Sequence, residues 1–116
     1  MTADIAWIGS APRPQAKVRF DRRELDVILG VYGRLVAAGE LRDYAIDDSA
    51  DAAAFSMYRR TSEQPFYRIE KRPALARRQG AWALIGMGGQ TLKRGHELRQ
   101  VLDVLERKLL RAVRPD

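Results

Sequence analysis

Cationic and aromatic side chains are interleaved in the second half of the chain, and their types and spacing are those of a ligand-binding surface. Cations neutralise phosphates and aromatic faces stack on bases, and proteins that bind single-stranded nucleic acid combine the two. The predicted nucleic-acid contacts are the cations Arg59, Arg60, Arg68, Lys71, Arg72, Arg77, Arg78, Lys93 and Arg94, with Tyr58, Tyr67 and Trp82 as stacking surfaces. In an antiparallel meander we expect these cations to meet along one rim. The alternative is an ordinary exposed sheet face, with part of the aromatics in the core.

The distribution of charge favours the same interpretation. The 116 residues include 21 Lys and Arg and 15 Asp and Glu, a formal net charge of +6. Residues 1–58 hold 7 basic and 9 acidic side chains, whereas residues 59–116 hold 14 basic and 6 acidic ones. Clustered positive charge attracts polyanions, so DNA or RNA is a candidate partner. The alternative is that the charge serves solubility alone.

Residues suited to catalysis or metal binding are scarce. The sequence has no cysteine and a single histidine, His96, which excludes thiolate chemistry, disulfides and multi-histidine metal sites. Acidic residues cluster around Asp47 and Asp48, where a turn is predicted, and aspartate is common in turns because it bonds to the local backbone. Their spacing differs from that of a calcium-binding loop. We therefore expect no catalytic residue, no cofactor and no bound metal, and a protein that is not an enzyme.

The first helix has a clear start and end in the sequence. Asp21 and Glu24 have the spacing of a capping box, in which each side chain bonds to the backbone of the other residue. Apolar residues then recur every three or four positions as far as Val36. Gly39 is placed to end the helix.

Gly30 and Gly33 lie inside this predicted helix, where each glycine costs about 1 kcal/mol relative to alanine. Residues this small allow another backbone to approach closely. The pattern predicts packing against a strand or the other helix of the same chain. The alternative is an interface in a homodimer or with a protein partner, and Trp7 is a second candidate interaction residue.

The segment between the helices has the periodicity of strands. Strands are predicted at residues 43–47, 53–60, 66–72, 81–87 and 90–93, with Gly88 and Gly89 forming a hairpin turn before the last. A C-terminal helix follows, with Gly95 or Thr91 as its cap, and Arg107, Lys108, Arg111 and Arg114 suit the negative end of its dipole. The predicted fold is α+β: a helix, a four- to five-stranded antiparallel meander and a C-terminal helix, in a two-layer sandwich with both helices on one face.

The chain has the length of one domain, since a single core usually holds roughly 100–150 residues. Residues 17–114 are predicted to form the single α+β domain. Residues 1–16 include Pro12 and Pro14 and are predicted to form a flexible or loosely docked N-terminal arm, which contains Trp7. Apolar stretches are shorter than the roughly 20 residues of a membrane span, and a signal peptide is not expected. We expect a cytoplasmic protein without a membrane partner.

Three stretches of the sequence form longer motifs. They are residues 20–25 (FDRREL) with 32–34 (YGR) and 37–40 (AAGE), residues 67–73 (YRIEKRP), and residues 92–96 (LKRGH). Together they resemble a small alphaproteobacterial family known only as a domain of unknown function, over residues 18–113. The resemblance implies a cytosolic bacterial protein, and it transfers no activity, ligand or functional residue.

Two functional hypotheses follow from the sequence. The first is a non-enzymatic basic protein that binds nucleic acid, as a regulator associated with the nucleoid or with RNA. The second is a protein–protein adaptor or a homodimeric module without nucleic-acid activity. The first requires binding that weakens steeply with salt. The second, in its homodimeric form, requires a mass that depends on concentration and that a bulky residue at Gly33 abolishes.

Overall fold

Two helices lie on one face of a five-stranded antiparallel sheet whose strands lie in sequence order. The computed structural model describes residues 16–60 and 64–113. The elements are α1 (Arg22–Ala37), β1 (Asp43–Asp48), β2 (Ala53–Tyr58), β3 (Tyr67–Lys71), a 3-10 turn (Pro73–Leu75), β4 (Trp82–Gly86), β5 (Thr91–Gly95) and α2 (Leu98–Val113). The predicted α+β fold, a helix followed by an antiparallel meander and a C-terminal helix, is confirmed. Of the predicted N-terminal arm only Ala16 is described, and Trp7 lies outside the described residues.

Helix α1 begins and ends where the sequence predicts. The Asp21 side chain accepts a hydrogen bond of 2.8 Å from the Glu24 N–H, and the Glu24 side chain accepts one of 2.8 Å from the Asp21 N–H. These bonds satisfy two backbone donors that a helix leaves unpaired at its N-terminus. At the other end Gly39 has φ +80°, a conformation that glycine adopts without strain.

One face of the sheet, here called the helix face, packs against both helices. Phe55, Ile69 and Leu84 point from β2, β3 and β4 into a fully buried cluster that also contains Ile28 of α1 and Leu105 of α2. Apolar burial of this kind is the main favourable term in folding. The helix face therefore holds the core of the described chain.

The opposite face of the sheet, here called the open face, carries the alternate residues of each strand. The strand register places Ser56 beside Arg68 in one row, and Glu70 beside Ala83 and Arg94 in the next. None of these side chains belongs to the buried cluster, and neither described helix lies on them. This face is consequently where polar side chains of the sheet gather.

The end of β5 and the start of α2 differ from the prediction. Thr91 and Gly95 are not helix caps, because the pairing of β5 with β4 continues as far as Gly95, opposite Trp82. Their backbones are thus part of the sheet. At the start of α2 the Glu97 N–H instead donates a hydrogen bond of 3.0 Å to the Gln100 side chain.

The prediction that Gly30 and Gly33 pack closely within the chain is wrong. A Cβ built at either glycine has no heavy atom within 4 Å, apart from the helix's own nearby backbone, and both residues are exposed. The buried apolar residues of α1 lie on the side of the helix that packs against the sheet. Gly30 and Gly33 lie on the other side, which faces solvent. Gly30 instead borders a groove of about 430 Å³ between α1 and α2.

Candidate functional site

The predicted basic rim is divided between the two ends of the sheet. Arg59 and Arg60 follow β2 at the end where β3 begins, whereas Lys71 and Arg72 lie where β3 finishes. At about 3.3 Å per residue, the two ends of β3 are about 13 Å apart. The loop after β3 does approach β5, because Arg94 Nη1 lies 3.4 Å from the Gly80 carbonyl oxygen. Part of the predicted rim is therefore assembled, without its first two arginines.

Trp82 and Lys71 lie against the N-terminus of α1. Trp82 is 7% exposed, and its ring stacks on Phe20 with 6.1 Å between the ring centroids. Lys71 Nζ donates to Glu24 Oε1 at 2.7 Å and to the Arg19 carbonyl oxygen at 2.8 Å. These contacts hold the start of α1 on the sheet. They leave little of the Trp82 ring for a base and engage the Lys71 cation internally.

The remaining predicted residues, apart from Tyr67, are spread over three places. Tyr58, Arg68, Arg72 and Arg94 belong to the open face, where Glu70 pairs with both Arg68 and Arg72. Arg77 and Arg78 are exposed in the loop that follows the 3-10 turn, and Lys93 is exposed on the edge strand β5. The carboxylate of Glu70 offsets part of the positive charge of the open face.

A cleft at the β2–β3 end of the sheet combines cations with aromatic rings. This basic cleft, of about 290 Å³, is lined by Glu40, Arg59, Phe66, Tyr67, Lys108 and Arg111. The Arg59 guanidinium lies 4.1 Å from the centroid of the Phe66 ring, and Lys108 Nζ lies 5.9 Å from that of Tyr67. The two rings meet edge to face, with 4.8 Å between centroids. Such contacts favour a cation above an aromatic face.

The electrostatics of the basic cleft favour an anion. Its lining has three cations and one carboxylate, Glu40, whose Oε1 lies 3.6 Å from Arg59 Nη2. The Arg59 side chain is 53% exposed, so this ion pair is screened by water. Burial raises the pKa of Tyr67 above 10.0 and Glu40 raises it further, against the lowering effect of Arg59 and Arg111. Tyr67 is thus a neutral hydroxyl at neutral pH, able to donate to an anion.

The pKa of Tyr67 offers a direct check on this arrangement. Arg59→Gln should raise that pKa, because a cation that favours the phenolate is lost, and Glu40→Gln should lower it. The pKa of Tyr67 is higher in the folded chain than in the unfolded chain, because folding favours the neutral phenol. The free energy of unfolding is therefore unaffected below pH 10. It falls as pH rises through 10.0 towards the folded pKa, since the unfolded chain ionises first. NMR titration of ¹³C-labelled tyrosine measures both shifts, with Tyr67→Phe for assignment. Equal pKa values in the two variants would contradict the cleft geometry.

Comparison with protein families assigns the chain. The family described as "Protein of unknown function (DUF2794)" matches residues 18–102, most of the chain. The chain belongs to the DUF2794 family. This confirms the resemblance to an uncharacterised family, although the match ends before Lys108 and Arg111. Comparisons with curated proteins and with solved structures gave no significant match for this DUF2794 chain.

Four cleft residues of this DUF2794 chain are absent from the contacts predicted by sequence, namely Glu40, Phe66, Lys108 and Arg111. Lys108 and Arg111 were assigned to the helix dipole, which accounts for a basic residue in the last turn without placing it near any strand. Their spacing of three residues does put both on one side of α2. That signal indicates a shared surface, but not that β2 ends and β3 begins beside it.

No grouping of side chains for a metal ion and no membrane-spanning helix occurs within residues 16–60 and 64–113 of this DUF2794 chain. There no three His, Asp or Glu side chains are grouped so as to hold a metal ion. His96 is exposed, with Nδ1 3.0 Å from the Ala76 carbonyl oxygen. Neither α1 nor α2 has the length and apolar character to cross a bilayer.

Proposed function

We propose that this DUF2794 protein binds nucleic acid without catalysing a reaction, and that the basic cleft is the point of contact. The observation that supports the proposal is the convergence of Arg59 with Lys108 and Arg111, from elements far apart in sequence, around Phe66 and Tyr67. Cations release counterions from phosphates, and aromatic rings supply stacking surfaces. A regulator associated with the nucleoid or with RNA in the bacterial cytoplasm would use both.

The form of the cleft favours single strands over duplexes. Phe66 and Tyr67 line the cleft and are half-buried, so a nucleobase reaches them only when it is unstacked. Arg60 and Arg107 are exposed and are the sequence neighbours of the cleft residues Arg59 and Lys108. They extend the positive surface for the adjoining phosphates. We therefore expect single-stranded DNA or RNA to bind more tightly than duplex DNA.

The proposal is tested by fluorescence anisotropy with labelled single-stranded DNA, duplex DNA and duplex RNA. The variant Arg59→Gln/Arg111→Gln removes two cations from the cleft, and Arg77→Gln/Arg78→Gln removes two from an exposed loop as a matched control. For the cleft variant we expect a loss of about tenfold or more in single-strand affinity, and a slope of log K against log salt that is shallower by about 1.4. The control variant should retain most of the single-strand affinity and most of the salt dependence.

Three outcomes would overturn the proposal. If no nucleic acid binds near 0.15 M salt, where surface charges are screened beyond about 8 Å, the basic half of the chain is solvated surface. If both variants lose affinity equally, binding follows net charge and the cleft has no special role. A loss confined to Arg77→Gln/Arg78→Gln would place the contact in the loop instead.

A second candidate function is homodimerisation through α1. The observation that favours it is the exposed position of Gly30 and Gly33, which have open space around them and lie beside exposed Val27 and Val36. Two helix-interior glycines cost about 2 kcal/mol together, and packing within the described chain does not use their small size. Close approach of α1 from a second copy would use it.

Sedimentation from nanomolar to high micromolar concentration tests the dimer. We expect the mass of the unaltered protein to rise towards twice the monomer value, and Gly33→Leu to remain monomeric because its side chain separates the helices. Ala74→Leu, which adds an apolar side chain at an exposed position in the 3-10 turn, is the control and should still dimerise. A monomer throughout the range contradicts this second candidate.

A further inference from the structure

The open face contains a groove of about 320 Å³ that is distinct from the basic cleft. This open-face groove runs over β2 and is bordered by Asp47 of β1, by Ala54 and Ser56 of β2, and by Arg68, Glu70 and Arg72 at β3. Its floor consists of small side chains, and its two sides carry groups of opposite charge. Its volume is that of a small-molecule site.

Glu70 holds the two arginines of the groove in place. It is only 8% exposed, and its Oε2 accepts a hydrogen bond from Arg68 Nε at 3.0 Å and forms an ion pair with Arg68 Nη2 at 2.9 Å. Its Oε1 accepts one from Arg72 Nε at 3.2 Å. Neither terminal amino group of Arg72, nor Nη1 of Arg68, donates a hydrogen bond to another described residue. Two guanidinium groups fixed by one carboxylate keep a net positive charge for an anionic group.

Asp47 gives the opposite side of the groove a negative charge. The strand register places Asp47 opposite Ala54 and Ala54 opposite Glu70, so two strand spacings, about 10 Å, separate the backbones of β1 and β3. Asp47 forms no ion pair with any described residue. The two arginines and the two carboxylates sum to zero, but their charges are separated across the groove. A phosphate backbone would meet Asp47 unfavourably, whereas a zwitterion matches both sides.

Ser56 adds a hydrogen-bonding group to the floor. The residue is 5% exposed and lies in the same row as Arg68. A serine hydroxyl can both donate and accept a hydrogen bond. It is therefore placed to donate to a ligand oxygen held by Arg68.

We propose that the open-face groove binds a small zwitterion of the α-amino-acid class. Its carboxylate lies on the outer amino groups of Arg68 and Arg72 with Ser56, and its ammonium group lies on Asp47. Glu70 is a positioning residue, which acts on the ligand only through the arginines. The site shares no residue with the basic cleft, so it is independent of the nucleic-acid proposal.

Titration of the ¹⁵N-labelled full chain, followed by amide NMR shifts, tests the groove. The probes are the proteinogenic L-amino acids one at a time, at up to about 10 mM, a range that detects millimolar affinity. For each amino acid that binds, its N-acetyl form removes the ammonium charge and its methyl ester removes the carboxylate. The variants are Asp47→Asn and Arg72→Gln, with exposed Arg22→Gln on α1 as the control for lost charge.

We expect at least one free amino acid to shift the amides of Ala54 and Ser56. Its N-acetyl and ester forms, and the two groove variants, should each weaken binding about tenfold or more, because each removes one charge-assisted hydrogen-bonding group. Arg22→Gln should bind as the unaltered chain does, and thermal melts confirm that every variant is folded. The proposal is overturned if no free amino acid shifts these amides, if blocked forms bind equally well, or if Asp47→Asn and Arg72→Gln both retain affinity.

Discussion

Replacement of Gly80 by alanine should cost the domain about 3 kcal/mol or more of unfolding free energy. Gly80 has φ +104°, which non-glycine residues rarely adopt. A Cβ there would overlap the carbonyl group of Gly95 and lie 2.8 Å from the backbone nitrogen of His96. These neighbours are backbone atoms at the end of β5. Gly95 is held opposite Trp82 by the pairing of β4 and β5, so it cannot move aside without breaking the sheet.

Gly30→Ala is the matched control for this prediction. Gly30 is helical, and a Cβ there has no heavy atom within 4 Å. Alanine should therefore stabilise the chain by about 1 kcal/mol, because it restricts the unfolded backbone. Urea unfolding followed by circular dichroism, at a low concentration that keeps the chain monomeric, measures both variants. If Gly80→Ala lies within about 0.5 kcal/mol of the unaltered chain, the close approach of the β3–β4 loop to β5 is incorrect.

Local patterns predicted the fold well because they report local physics. Asp21 and Glu24 bond to backbone three residues away, so their spacing alone defines the helix start. Gly88 and Gly89 mark the hairpin in the same way, and Gly89 indeed has φ +85°. Strands joined by short connections tend to be sequential neighbours in a sheet. The element order therefore followed once the turns were identified.

The candidate site was harder to predict because it depends on register and on distant packing. In β4 the residues Trp82 to Ile85 are all buried, so no alternation distinguishes the helix face from the open face. Trp82 was therefore predicted as a stacking surface although its ring belongs to the core. The contribution of Arg111 to the basic cleft depends on how α2 lies across the sheet, which no pattern near residue 59 encodes.

The open-face groove also depends on strand register. Arg68, Glu70 and Arg72 alternate along β3, and the sequence places them together on one face of a strand. The sequence does not show that small side chains of β2 form the floor of the groove, or that Asp47 lies on β1 at its far side. Both follow from how β2 pairs with β3 and β1 pairs with β2. A glutamate among cations weakens the prediction of a phosphate contact. In the folded chain the same residue orders two arginines.

Phe55→Ala should destabilise the chain by about 3–5 kcal/mol, a large part of the 5–15 kcal/mol typical of a domain. Phe55 is fully buried on β2. Its ring stacks on Tyr44 of β1 with 5.0 Å between centroids, and it meets Tyr32 of α1 edge to face at 5.8 Å. It thus links β1 and β2 to α1. Removal of the ring costs its transfer free energy and leaves a cavity that these neighbours fill only in part.

Thermal melts compare Phe55→Ala with Phe55→Leu and with Met87→Ala, whose side chain is 56% exposed. We expect a fall in Tm of more than about 12 °C for Phe55→Ala, a smaller fall for Phe55→Leu, which keeps most of the apolar volume, and almost none for Met87→Ala. If alanine and leucine lower Tm equally, the aromatic contacts with Tyr44 and Tyr32 provide the stability, since the two variants share only the loss of the ring. If neither lowers Tm, β1 does not pack beneath α1. Asp47, which is carried by β1, would then lose the position opposite Arg68 and Arg72 on which the open-face groove depends.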